Sequence, residues 1–365
     1  MTLNNENILL CLSRVNDPDI KKDLVTLNMI ANLSVEGNTV KFDVVLTTPA
    51  CPLKDKIKND CIYEIKKVFP ECEIKINMTS NVLGSSKKEK GGLLAGVKNT
   101  IAVASGKGGV GKSTVAVNLA VALALEGAKV GLIDADIYGP SIPLMLGITE
   151  KPQVIELGDK IILLPIQKFG IKLMSIGFLV EDNAPIIWRG PMASGALKQF
   201  MSDVEWNELD YLIFDMPPGT GDIQLTLCQT IPLTGAVIVT TPQDVSIADA
   251  RKAAKMFERV NVPILGIVEN MSYFIAPGTN QQFDIFGSGG GEKLALETNS
   301  VFLGKIPIDP AIRIGGDNGI PVVYDRPDSS EADIITDIAR KLAAEISLSN
   351  INTNSQQNIE ISLDD

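Results

Sequence analysis

Apolar and polar positions along this chain change period several times, and the changes divide it into parts. Up to residue 80 the runs are short. Helix-spaced apolar residues occupy Asn5–Val15, strand-like runs fall at Met29–Leu33 and Val40–Leu46, a helical pattern spans Pro52–Phe69, and a strand pattern covers Cys72–Met78. Elements of this length predict a compact α+β unit over residues 1–80. Residues 81–96 are rich in Gly, Ser and charge and have little to bury, so they predict a flexible linker. From Val97 onward, near-continuous apolar runs alternate with helical stretches: Ile101–Ala104, Val130–Ile133, Tyr211–Phe214, Ala236–Thr240, Ile264–Val268 and Val301–Leu303. Strands that are apolar on both faces and separated by helices imply a mostly parallel sheet covered on both sides. Residues 97–346 therefore read as one large α/β domain, and the polar, acidic stretch 347–365 predicts a disordered tail.

The richest chemistry lies between the first of those strands and the helix after it. Gly106, Lys107, Gly108, Gly109, Val110, Gly111, Lys112, Ser113 and Thr114 form a phosphate-binding loop with a second lysine near its start. Its glycines let backbone N–H groups turn inward on phosphates, Lys112 supplies a point charge to the terminal phosphates, and the Ser113 hydroxyl can ligate Mg²⁺. The apolar run Thr100–Ala104 precedes the loop and the helical run Val115–Ala124 follows it, so a helix N-terminus faces the anion. The predicted fold is thus that of a P-loop NTPase with a small N-terminal α+β domain, and the implied ligands are ATP and Mg²⁺.

Composition narrows the alternatives. The 365-residue chain carries a formal net charge of −11, which gives it no general basic field for nucleic acid or anionic lipid. No apolar run is long enough to span a bilayer, and the first residues lack a signal-peptide pattern, so the expected location is the cytoplasm, with no nucleic-acid or membrane partner. The chain has no histidine, which removes Ser-His-Asp triads and imidazole bases and leaves acid–base work to carboxylates.

Two strand ends deliver such carboxylates. Asp134 and Asp136 close the run beginning at Gly131, on the same sheet edge as the phosphate loop, and suit a base or a Mg²⁺ partner. Asp215 ends the run Tyr211–Phe214 in the pattern of a Walker B aspartate, followed by the Pro- and Gly-rich segment Met216–Gly221 that can sense a γ-phosphate.

Lys107 makes the loop resemble the deviant Walker A ATPases, in which this lysine reaches the nucleotide of a partner subunit, and that resemblance implies an active homodimer. Further segments narrow it. Asp136–Pro143, Ile187–Ala196, Asp215–Asp222, Glu269–Phe274 and Gly315–Pro321 closely resemble the Mrp/ApbC family of iron–sulfur cluster carrier ATPases, and Asp17–Ile20 with Leu46–Asp55 resemble the small domain fused to them. The resemblance spans roughly residues 1–345. It implies ATP hydrolysis, cluster transfer to iron–sulfur apoproteins, and contact with assembly factors. It also implies Asp136 as the group orienting the attacking water and Asn270 as a nucleotide contact. Where many members carry a Cys-x-x-Cys pair, this chain reads Ile275–Asn280, so the thiolates for any labile [4Fe–4S] cluster must come from elsewhere.

The five cysteines are scattered, and no two form a Cys-x-x-Cys pair. Cys51 is the best placed, because Pro52 suits a first helical turn and a helix N-terminus favours thiolate. Cys11 and Cys61 share helical spacing with neighbouring apolar residues, Cys72 alternates in phase with Ile74 and Ile76, and Cys228 suits helix packing. The run Phe286–Lys293 looks like a second phosphate cradle but lacks the lysine–hydroxyl ending, and reads as a turn into a helix. Two other functions remain on sequence grounds. One is a positioning ATPase of ParA or MinD type, which needs a basic surface or amphipathic anchor; the other is a nucleotide-switched adaptor that binds no cluster.

Overall fold

The computed structural model describes residues 1–18, 20–85, 93–158, 160–179 and 190–360. The chain separates into two compact units, residues 1–83 with the chain from 343 onward, and residues 84–342. Much of the expected 81–96 linker, at 86–92, lies outside the described residues, as do Asp19 and residues 187–189 of the segments that carry the family resemblance.

In the small unit, α1 (Asn5–Leu12) and α2 (Lys54–Val68) accompany β1 (Ile30–Glu36), β2 (Thr39–Leu46) and β3 (Glu73–Ser80). The strands form a sheet in the order β1-β2-β3, antiparallel between the first two and parallel between the last two. Ile57, Cys61 and Ile65 repeat every fourth residue along α2 and are fully buried, which gives the helix one apolar stripe against Val40, Phe42 and Val44 of β2. One boundary differs from the sequence expectation. The helix begins at Lys54 rather than Pro52, because Thr48–Pro52 forms a turn in which Ala50 N–H donates to Thr48 Oγ1 and Lys54 N–H to the Cys51 carbonyl. Cys51 therefore precedes the helix and is not on its first turn.

In the large unit the phosphate loop lies between β4 (Val97–Ala104) and α3 (Lys112–Leu125), followed by β5 (Val130–Asp134) and α4 (Ile142–Met145). A hairpin, β6 (Gln153–Leu157) and β7 (Lys160–Leu164), leads to β8 (Ile166–Lys168), β9 (Ile171–Ser175) and α5 (Gly190–Ser202). Then come β10 (Leu209–Asp215), α6 (Asp222–Thr230), β11 (Gly235–Thr240), α7 (Asp244–Arg259) and β12 (Ile264–Glu269). The chain continues through the short pair β13 (Phe274–Ile275) and β14 (Gln282–Phe283), α8 (Gly290–Glu297), β15 (Phe302–Lys305), α9 (Pro310–Asn318), α10 (Val322–Asp325) and α11 (Ser330–Glu360).

The main sheet has eight strands in the order β15-β12-β11-β4-β10-β5-β9-β8, parallel throughout except where β8 pairs antiparallel with β9. Every residue of β5, β10 and β11 is buried, as strands packed on both faces require. All the expected strands are present. Two further strands, β8 and β9, are not evident from the apolar pattern, because Lys168 and Lys172 interrupt it.

The tail is a correction. Residues 347–360 continue α11 as helix and are not disordered, while 361–365 lie outside the described residues. Leu342, Ala343, Ile346, Ser347 and Asn350 are buried at helical spacing. The two polar members find backbone partners in the small unit: Ser347 Oγ donates to Thr47 O at 3.4 Å and Asn350 Nδ2 to Leu83 O at 3.0 Å. A stripe that is part polar and satisfied by hydrogen bonds does not stand out as apolar periodicity.

Candidate nucleotide site

Crossing β10 and β5 beside β4 brings the chemistry to one edge. Their parallel registers align Asp215 with Val103 and with Asp134, so the loop after β4 meets both strand-end carboxylates. The loop itself depends on its glycines. A Cβ on Gly106 would lie 2.1 Å from the Asp249 carbonyl carbon of α7, and Gly111 combines a φ of +80° with a Cβ position 2.2 Å from Asn270 Nδ2. Gly108 and Gly109 are exposed, and α3 begins shortly after them at Lys112, so the loop leads into a helix N-terminus, the end of a helix that favours anions.

Lys112 is buried, and its Nζ lies 2.6 Å from Asp215 Oδ1 and 3.3 Å from Asp136 Oδ2. Ser113 Oγ donates to the second Asp215 oxygen at 2.6 Å. Asp134 accepts the backbone N–H of Asp136 at 3.2 Å and that of Ile142 at 3.3 Å, and the Ser175 hydroxyl at 2.9 Å. Burial, with the like charge of Asp215 second, pushes the Asp134 carboxyl up to about 7. Burial raises Asp215 as well, against the pull of Lys112 and Ser113. The Pro- and Gly-rich segment after Asp215 is tied to the loop by Gly219 N–H donating to Ser105 O at 3.0 Å.

Lys112, Ser113, Asp134, Asp136 and Asp215 thus form one constellation. Asn270 joins it from the end of β12, donating from Nδ2 to the Val110 carbonyl at 2.8 Å. Lys107 is half-buried, and among the described residues no ion pair reaches it. Also among the described residues, no three His, Cys, Asp or Glu side chains converge on a point that could hold a metal unaided. Mg²⁺ keeps water and phosphate ligands and takes few from protein. Ser113 Oγ and Asp215 are the fitting donors, with Asp134 behind them. Ser175 was not foreseen, because its strand was missed. A cavity of about 650 Å³ opens at the amino ends of β5, β9 and β10, away from these carboxylates.

Cys51 lies elsewhere, in the small unit. It is half-buried on a narrow cleft of about 10 Å³ with Asp17, Thr48 and Ser347. The other cysteines are buried. Burial raises the thiols of Cys11 and Cys72, and pushes those of Cys61 and Cys228 up to about 12.

A glycine-rich loop between a central parallel strand and a helix, with carboxylates at the adjacent strand ends, defines a P-loop NTPase. Within that class, this chain belongs to the NUBPL iron-transfer P-loop NTPases, whose family pattern matches residues 96–343; residues 5–76 match the iron–sulfur cluster assembly protein family. It is 50% identical over 348 residues to an iron–sulfur cluster carrier protein of Synechocystis, covering 95% of this chain and 99% of that one. It is 44% identical to the protein of that name from Escherichia coli, over 92% and 90% of the two chains. Among solved structures it resembles a nucleotide-binding protein from Archaeoglobus fulgidus in complex with ADP, at 40% identity and a TM-score of 0.57, over 68% of this chain and 96% of that one. The cell-division ATPase MinD of Pyrococcus furiosus, at 22% identity and a TM-score of 0.50, shares the fold. Among the described residues no helix is long and apolar enough to cross a membrane.

Proposed function

We propose that this chain binds and hydrolyses Mg²⁺-ATP as a cytoplasmic homodimer and carries iron–sulfur clusters to apoproteins. The observation that carries the reading is an intact Lys112–Ser113–Asp136–Asp215 constellation in a chain that also contains an iron–sulfur assembly unit. Lys112 and the loop amides hold the phosphates, Ser113 and Asp215 hold Mg²⁺ with Asp134 behind, and Asp136 orients the attacking water. Bound Mg²⁺ neutralises charge on the phosphates; positioning falls to the chain's own side chains. Lys107, with no ion pair among the described residues of its own chain, reaches the nucleotide of the second copy. The variant Lys107→Ala is therefore expected to bind ATP but not to turn it over, and parallel loss of both would put this lysine in its own site.

The cluster is cargo. Cys51 is the thiol offered to it, with further ligands from elsewhere. Likeness to MinD at 22% identity is of fold alone and lends nothing to a positioning role. The test is anaerobic reconstitution of the full chain with iron and sulfide, then iron counting, absorption spectra and transfer to an apo-ferredoxin. Wild type is expected to take up and pass on iron, and Cys51→Ser to lose it. A full iron complement in Cys51→Ser would move the ligands elsewhere, and no uptake by wild type would favour the nucleotide-switched adaptor.

A further inference from the structure

Glu269 is the last residue of β12 and is fully buried, yet among the described residues no ion pair reaches it. Its carboxylate is held instead by two short hydrogen bonds. Ser272 Oγ donates to Oε1 at 2.5 Å, and the backbone N–H of Gly291 donates to Oε2 at 2.6 Å. Gly291 stands in the first turn of α8, where N–H groups have no helical partner and the helix end is positive, so a carboxylate there is stabilised without a cation.

This contact accounts for the glycine at position 291. A Cβ on Gly291 would come 2.9 Å from Glu269 Cβ and 3.2 Å from its Oε2, so the glycine makes room for an internal carboxylate and not for a phosphate. The next residue along the chain is Asn270. Its backbone N–H is held by Thr240 O at 2.8 Å, and its side chain grips the Val110 carbonyl of the phosphate loop. Glu269 therefore fastens the two ends of the excursion 270–290 together at the point where that excursion touches the loop.

We propose that Glu269 is a positioning residue for nucleotide binding: clamped to the first turn of α8, it fixes the backbone from which Asn270 holds the phosphate loop open. The proposal rests on the nucleotide reading above. Removing the clamp leaves the Asn270 N–H on Thr240 O but loosens the turn that follows it, so the grip of its side chain on the Val110 carbonyl weakens and the loop amides are less well pre-arranged for phosphate. The loss appears in affinity and not in the chemical step, because Glu269 touches neither phosphate nor water.

The test is a double-mutant cycle on the full chain, read as the ADP dissociation constant by calorimetry, with kcat measured at saturating ATP. Glu269→Ala and Asn270→Ala are each expected to weaken ADP by roughly tenfold, and the double variant by little more than either alone. Gly291→Ala, which displaces the carboxylate without removing it, is expected to match Glu269→Ala. Glu269→Gln is expected to restore affinity, since its carbonyl oxygen can accept from Gly291 N–H and its amide can donate to Ser272 Oγ. Multiplying effects in the double variant, or unchanged affinity in both Glu269→Ala and Gly291→Ala, overturn the proposal. A wild-type chain that binds no ADP overturns the nucleotide reading itself, an outcome distinct from multiplying effects in a chain that binds it.

Discussion

The ammonium of Lys112 sits 2.6 Å from Asp215 Oδ1, so this cation is already neutralised within the protein. Asp136 Oδ2 shares the same ammonium at 3.3 Å. A nucleotide must draw Lys112 toward its phosphates, which leaves Asp215 buried without its counter-charge unless another cation arrives. On the proposed function, Mg²⁺ held by Ser113 and Asp215 would be that cation, and nucleotide and metal should bind interdependently. Chelating Mg²⁺ with EDTA is expected to weaken ADP binding at least about tenfold by calorimetry. Equal affinity with and without the metal would show that Lys112 need not leave Asp215.

Lys112→Ala removes both halves of this exchange. Loss of ATP binding is expected from the missing charge on the phosphates. The free protein should also lose about 3–5 kcal/mol, because Asp215 and Asp136 keep their burial without a counter-charge. Denaturant unfolding beside a binding titration checks both. A variant as stable as wild type would mean that the carboxylates had taken up protons or water in place of the lysine.

How far the sequence reveals this site depends on the distance over which each residue acts. The phosphate loop is local, since glycine spacing, lysine and hydroxyl all fall within a few residues, and it is legible without a structure. Asp134 and Asp215 are legible because an apolar strand ending in Asp leaves the side chain at the sheet edge. The Ser175–Asp134 and Gly291–Glu269 contacts are not, because their members lie 41 and 22 residues apart in sequence and meet only once strands and helices have packed. The start of α2 was misplaced because Pro52 fits a helical first turn and a preceding tight turn equally well.

Asp134 gives the free protein a definite pH dependence. Its carboxyl is pushed up to about 7 in the fold, against about 3.9 in an unfolded chain. Between those values the folded state holds a proton that the unfolded state has released, so this contribution is complete at low pH and is lost as pH rises through about 7. Asp215, also raised, acts with the same sign. Unfolding free energy without nucleotide or Mg²⁺ is expected to fall from pH 5 to pH 8, and Asp134→Asn to flatten the slope. A wild-type profile that is flat over this range and unchanged in Asp134→Asn would mean that Asp134 is ionised throughout.

On the proposed function, a change at Asp136 should separate binding from turnover. Its Oδ1 accepts the Tyr138 backbone N–H at 3.1 Å, a bond that an asparagine oxygen keeps. Asp136→Asn should therefore leave the fold and Mg²⁺-ATP affinity near wild type and lower kcat by roughly 100-fold, since an amide cannot take up the water's proton or charge. Collapse of affinity together with the rate would assign Asp136 to the Mg²⁺ shell.

The cysteines make a final contrast. Thiolate is the reactive form, and burial holds the thiols of Cys61 and Cys228 up at about 12, with Cys11 and Cys72 also raised. Cys51 alone is half-buried rather than buried. At pH 8 a thiol reagent such as 5,5′-dithiobis(2-nitrobenzoate) is expected to modify one cysteine per native chain quickly and the rest only as the chain unfolds. Cys51→Ser should abolish the fast phase, and iron–sulfide loading of wild type should suppress it, because a ligand sulfur is no longer nucleophilic. A fast phase that survives in Cys51→Ser would place the reactive thiol among the other four, and one that survives loading would separate Cys51 from the cargo.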